Sequence, residues 1–164
     1  MNEHDVAVLY RAYGYAVFRR CLAYLADVDA ALTVVRQTFV HALRNLGEFQ
    51  AFADPQVWLY RAADERCLRV LDAYARNGVA RPELSLRQLR ACVANDDHER
   101  LIQLLPLLRT LKPKDMRFAV LFYLDELTEE ELSRELGLSR RVVARRIAQL
   151  VRSAPVEALE ASPW

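Results

Sequence analysis

The chain is expected to be all-α, built as two small helical domains joined by a linker. Three observations predict this. Apolar residues recur at spacings of three and four along most of the chain, the period of one helix face. Glycine and proline are scarce, 4 and 6 in 164 residues, which argues against a turn-rich β protein. Residues 77–97 gather Gly78, Pro82 and the polar run Asn95-Asp96-Asp97, dividing the helical signals into two groups. An apolar fraction of 53% is enough for at least one real core.

Residues 6–25 read as the first helix, because Val6, Tyr10, Tyr13, Val17, Cys21 and Tyr24 form one stripe. Asp27 suits the N-cap of a second helix, in which Leu32, Val35, Phe39, Leu43 and Leu46 repeat. Gly47 is expected to end it, as glycine beyond a last turn often does. "EFQAFAD" then reads as a loop carrying Phe49 and Phe52. Asp54-Pro55 opens a third helix, with proline tolerated at the first helical position. This helix runs to about Arg76 through Trp58, Leu59, Ala62 and Leu68. Residues 1–76 are therefore expected to form a compact three-helix domain, and 77–100 a linker with a helical turn around 86–93.

Helical signals return from His98. Leu101, Leu104, Leu105 and Leu108 form a stripe that ends near Lys112-Pro113, and 114–124 read as the next helix. Thr128 followed by Glu131 is a capping box. It starts a short helix that ends at Gly137, and Ser139 caps the last helix. Residues 101–152 make the second domain. Residues 153–164 carry two prolines and no partner stripe, so a frayed tail is expected, with Trp164 able to pack back.

The net charge of +1 does not advertise a polyanion partner, but the charge is unevenly placed. Residues 125–135 hold six acids (Asp125, Glu126, Glu129, Glu130, Glu131, Glu135) and one arginine, whereas 139–153 hold five arginines and no acid. Cys21, Cys67 and Cys92 are scattered, as are His4, His41 and His98, and none has ligand spacing. The cysteines read as small buried hydrophobes in a reducing cytoplasm. No apolar run has the length of a signal core or a membrane helix. There is no glycine-rich phosphate loop and no acid–histidine–nucleophile set. The expectation is a cytoplasmic protein with no membrane segment, no cofactor and no catalytic activity.

The stretch "ELSRELGLSRRVVARRIAQLVR" (131–152) has the layout of a helix-turn-helix. Leu132 and Leu136 give the first helix an inner face, Gly137 supplies a turn where positive φ is easiest, and Leu138 plugs the angle. Val143, Ile147 and Leu150 give the second helix its inner face. Counting about 100° per residue, the opposite face collects Arg141, Arg145, Ala148 and Arg152, with Gln149 at its edge. Arg140 and Arg146 flank the apolar stripe. One side thus docks on its own domain while the other carries long donors able to bind guanine O6 and N7 in a major groove, with flanking arginines for phosphates. The alternative is a solvated hairpin with arginines on its wet face.

A second candidate lies in the first domain. Trp58, Tyr60 and Arg61 fall within one turn, beside the loop with Phe49 and Phe52. Aromatic rings interleaved with basic groups suit unpaired bases. The alternative for Trp58 and the phenylalanines is the domain core.

Taken together, these motifs resemble one family. "LYRAYGYAVFRRCLAYL", "QTFVHALRNLGEF" and "WLYRAA" resemble region 2 of the extracytoplasmic-function sigma factors, and "LLRTLKPKDMRFAVLFYLDELTEEELSRELGLSRRVVARRIAQLVR" resembles their region 4. The likeness covers residues 6–76 and 101–152. It implies a dissociable subunit of bacterial RNA polymerase. Its last helix would read the upstream (−35) promoter element through Ser139, Arg140, Arg141, Arg145 and Arg146. The 49–54 loop with Trp58, Tyr60 and Arg61 would capture flipped bases of the downstream (−10) element. The second helix would dock on the core polymerase clamp, and an anti-sigma factor would be a further partner. Family members usually carry an acidic segment such as "DAEDLVQETF" on that helix. Here "AALTVVRQTF" places Ala30, Leu32, Thr33, Arg36 and Gln37 at the altered positions, a neutral to positive face. Leu32 and Val34 are expected to leave apolar groups exposed there. Asp64, Glu65 and Asp72 stand where the family is polar, and acids would repel a phosphate backbone. Three readings follow. The first is an alternative sigma factor that directs RNA polymerase to specific promoters. The second is a sigma-derived DNA-binding regulator or adaptor that no longer binds core polymerase in the usual way. The third is a protein-interaction module that binds neither.

Overall fold

A computed structural model describes residues 3–154. Their regular elements are all helices, with no strand among the described residues, and they fall into two compact units, the first ending at Val93 and the second beginning at Ala94. The expected tail beyond 154, including Trp164, lies outside the described residues.

The first unit comprises α1 (Glu3–Leu25), α2 (Val28–Arg44), α3 (Leu46–Ala51), α4 (Pro55–Arg76) and α5 (Leu86–Cys92). Asp27 caps α2 by accepting from the Ala30 N–H at 3.0 Å, and Asp54 caps α4 by accepting from Gln56 N at 2.9 Å. Three long helices pack together through Val17, Cys21 and Leu22 of α1, Ala31, Val35 and Phe39 of α2, and Leu59, Ala63, Cys67 and Leu71 of α4. One buried contact is ionic. Arg20 on α1 grips Asp64 on α4 with Nε at 2.5 Å and Nη2 at 2.8 Å, and both side chains are almost fully buried.

The chain departs from the expected helix ends at α2. This helix stops at Asn45, not at Gly47, because the Asn45 side chain donates to His41 O at 2.9 Å while its own N–H bonds the carbonyls of His41 and Ala42. Gly47 lies inside α3, so the first part of "EFQAFAD" is helical and its Phe49 is buried. The expected linker turn is the full helix α5, started by a reciprocal Ser85–Gln88 capping box and anchored by buried Leu89 and Val93.

The second unit comprises α6 (Asn95–Thr110), α7 (Pro113–Ala119), α8 (Glu129–Leu136) and α9 (Arg140–Ser153). Helix α6 starts three residues earlier than the sequence suggests, and its Pro106 is exposed. Helix α7 continues as a π-helical stretch, Val120–Leu124, in which all five side chains are buried. Arg100 of α6 secures the end of that stretch, donating to Tyr123 O at 2.5 Å and pairing with Glu126 at 2.8 Å. Among the described residues, no helix is long and apolar enough to cross a membrane.

Candidate nucleic-acid interface

The helix-turn-helix is built by its caps. Thr128 Oγ1 accepts from Glu131 N at 3.3 Å, and the Glu131 carboxylate accepts from Thr128 N at 2.8 Å. These bonds from the Thr128 backbone and hydroxyl hold the Glu131 carboxyl below the usual carboxylate range. Helix α8 ends at Gly137, whose φ of 64° and ψ of 31° are left-handed. The next N–H, of Leu138, bonds Ser133 O at 3.1 Å, and Ser133 Oγ donates to Leu138 O at 2.5 Å. A Cβ at Gly137 would meet no atom within 4 Å, so backbone conformation and not space calls for glycine. Gly137→Ala is accordingly expected to destabilise the second unit by about 1–2 kcal/mol. Thermal unfolding would check this, and an unchanged midpoint would count against the turn's role. Ser139 caps α9 by accepting from Val142 N at 3.3 Å.

The two faces of α9 separate as the spacing predicts. Val143 and Leu150 are buried with Leu132 of α8, and Ile147 is half-buried. Arg140, Arg141, Arg145, Ala148, Gln149 and Arg152 are exposed. Arg141 and Arg145 stand one turn apart on the exposed face, and Ala148 between them and Arg152 leaves room for close approach. Arg152 Nε is turned back onto Ala148 O at 3.1 Å.

Arg146 is placed differently from its neighbours. Its guanidinium lies 3.5 Å from Asp115 of α7 and 5.2 Å from the centre of the Phe118 ring, and the residue is half-buried. The sequence places Arg146 among the arginines flanking the apolar stripe, and the structure directs this side chain onto α7. A parallel bond, Arg117 to Glu135 at 3.1 Å, ties α7 to α8. Together they hold α8 and α9 against α7. Glu129, Glu130 and Glu131 are exposed on the first turn of α8, where they complement the positive end of the helix dipole.

In the first unit the aromatic candidates divide. Trp58 is 5% exposed and Phe49 is 4% exposed. They meet edge to face at 5.3 Å, Trp58 stacks on His41 at 5.3 Å, and its Nε1 donates to Glu48 at 3.3 Å. Of the two readings the sequence leaves open for these rings, base stacking or domain core, their burial favours the core, which they close between α2, α3 and α4. Tyr60 is half-buried under the Arg20 guanidinium, 4.3 Å from the ring centre, and its hydroxyl accepts from Gln56 at 2.7 Å. Arg61 is exposed and lies 5.3 Å from the half-buried Phe52 ring, so this pair is what the segment presents to solvent.

On α2, Leu32, Thr33, Arg36, Gln37 and Val40 are exposed and Ala30 is half-buried. Val34 is 2% exposed, so only Leu32 of the expected apolar pair faces out. Asp64 is corrected too. It is buried against Arg20 and offers no repulsion to a phosphate backbone, whereas Glu65, which pairs with Arg69, and Asp72 are exposed. Sequence reasoning missed Arg20, Asp115, Arg44 and Arg66. Only Arg44 left a signal, as it continues the Leu32, Arg36, Val40 row at four-residue steps. Among the described residues, no group of three or more histidine, cysteine or acidic side chains could hold a metal ion. Compared with protein-family models and with curated proteins, the chain matches none.

Proposed function

We propose that the protein is a DNA-binding transcription initiation factor of the extracytoplasmic-function sigma type, reading promoter DNA with α9 and doing no chemistry of its own. The observation that carries this reading is the exposed row Arg141, Arg145 and Arg152, interrupted only by small Ala148, on a helix docked by Val143 and Leu150. Such a helix can enter a major groove and offer forked donors to guanine. Arg140 and the Ser139 turn stand at the entrance, where phosphates pass. Phe52 with Arg61 is the remaining surface for an unpaired base.

A second reading, a sigma-derived regulator that recruits something other than core polymerase, is favoured by one observation. Beyond Asp29 in its first turn, the outward residues of α2, Leu32, Thr33, Arg36, Gln37, Val40 and Arg44, include no acid. Mixing the purified protein with core RNA polymerase decides between them. A stable complex that supports run-off transcription is the expected result. Duplex DNA binding with no core complex would replace the first reading by the second, and neither activity would overturn both.

A further inference from the structure

A cleft of about 310 Å3 opens in the first unit between α2 and α4, lined by Arg36, Gln37, Val40, His41, Arg44 and Arg66. Three of the six are arginines and none is acidic. Arg36 and Arg44 are exposed, lie about two turns apart on α2, and flank Val40. Neither forms an ion pair with a carboxylate among the described residues. Arg66 reaches in from α4 and is held by its Nη1 bond to Ala62 O at 2.9 Å. His41 is fixed by its stack on Trp58 and by Asn45 Nδ2, 3.0 Å from its Nδ1.

Like charges gathered in a recess disfavour one another unless an anion joins them. Partial burial lowers the Arg66 pKa from its usual value, opposed by Glu65 and reinforced by Arg69. The cleft offers many N–H donors, one apolar wall and a single amide, Gln37, with acceptor capacity. That inventory suits phosphate oxygens far better than a cation or a neutral base edge. Its volume is that of a small ligand.

We propose that the cleft between α2 and α4 is a binding site for a small phosphorylated anion carrying two or more phosphate groups, gripped by Arg36, Arg44 and Arg66. Arg36 and Arg44 clasp it from either side of Val40 while Arg66 neutralises it from α4. The shared chemistry is the diphosphate, whether free or borne by a nucleoside. Occupancy turns the basic outer face of α2 neutral to negative, so the ligand would alter whatever docks there. The site lies in the first unit, whereas α9 belongs to the second.

Isothermal titration of the full chain with sodium pyrophosphate tests this at low and at moderate salt. Saturable one-to-one binding is expected. Arg36→Gln and Arg44→Gln, both at exposed positions, should each weaken it by roughly tenfold or more, the worth of a charged hydrogen bond. The charge-matched pair Arg87→Gln with Arg90→Gln, on α5, should leave it unchanged. Equal affinity for a nucleoside triphosphate would assign recognition to the phosphates alone, and tighter binding of the nucleotide would assign the ligand to that source. Either outcome supports the site. Absence of saturation, or equal loss in the α5 pair, would overturn it. So would the finding that Arg36→Gln and Arg44→Gln weaken duplex DNA binding but not pyrophosphate binding.

Discussion

Arg141→Ala with Arg145→Ala is expected to weaken binding to a preferred DNA duplex by about 30-fold or more, while the second unit stays folded. Each arginine that reads a guanine edge contributes about 1–3 kcal/mol of discrimination, so two together span about 30-fold to 10⁴-fold. The loss should fall on specific binding first, flattening the preference between sites. Stability should move by less than about 0.5 kcal/mol, because both side chains are exposed and no buried partner is left behind. Fluorescence anisotropy at fixed salt, on a duplex selected from a random pool, measures the affinity. Thermal unfolding of the same variants supplies the control. Retention of wild-type affinity and preference by the double variant would end the assignment of α9 as the reading helix.

The second large effect concerns the core of the first unit. Asp64→Ala leaves the Arg20 guanidinium buried without its carboxylate, a change expected to cost about 3–5 kcal/mol. That is a large part of the stability of a small domain. Arg20→Met together with Asp64→Leu removes both charges at similar volume and should recover most of the loss. Urea denaturation followed through Trp58, in a Trp164→Phe background, reports on this unit alone. A cost below about 1 kcal/mol for Asp64→Ala would mean that the pair is not a structural clamp. Failure of the double replacement to recover stability would show that the pair's geometry, and not its charge balance, matters.

The two experiments differ in how visible their targets are in the sequence. The α9 face follows from residues within four positions of each other, and so do the caps at Asp27, Asp54, Thr128 and Ser139. A local pattern is readable because helix geometry places i, i+3 and i+4 on one side whatever surrounds them. The Arg20–Asp64 pair joins residues 44 positions apart, and neither has a spacing that announces the other. The same blindness explains the aromatic segment. Trp58 and Phe49 have the composition of a base-stacking platform, but their environment is supplied by His41 and Glu48 from other elements. At the end of α2 two local signals competed, and the Asn45 side-chain bond to His41 O outranked the turn expected at Gly47.

The sequence by itself determined the helical class, most helix starts, the left-handed turn at Gly137 and the split of α9 into an apolar and an arginine face. Each follows from backbone preferences or short-range periodicity. Only the tertiary structure decided which charges are used inward. Arg146 turns to Asp115 and Phe118 while Arg141 and Arg145 stay exposed, although all three occupy one short helix. It likewise decided that Val34 is covered and Leu32 is not, and that Arg36, Arg44 and Arg66 line a single cleft. The physical reason is common to all of these. A side chain's partner on a neighbouring helix is set by how the helices pack, and packing is a property of the whole unit.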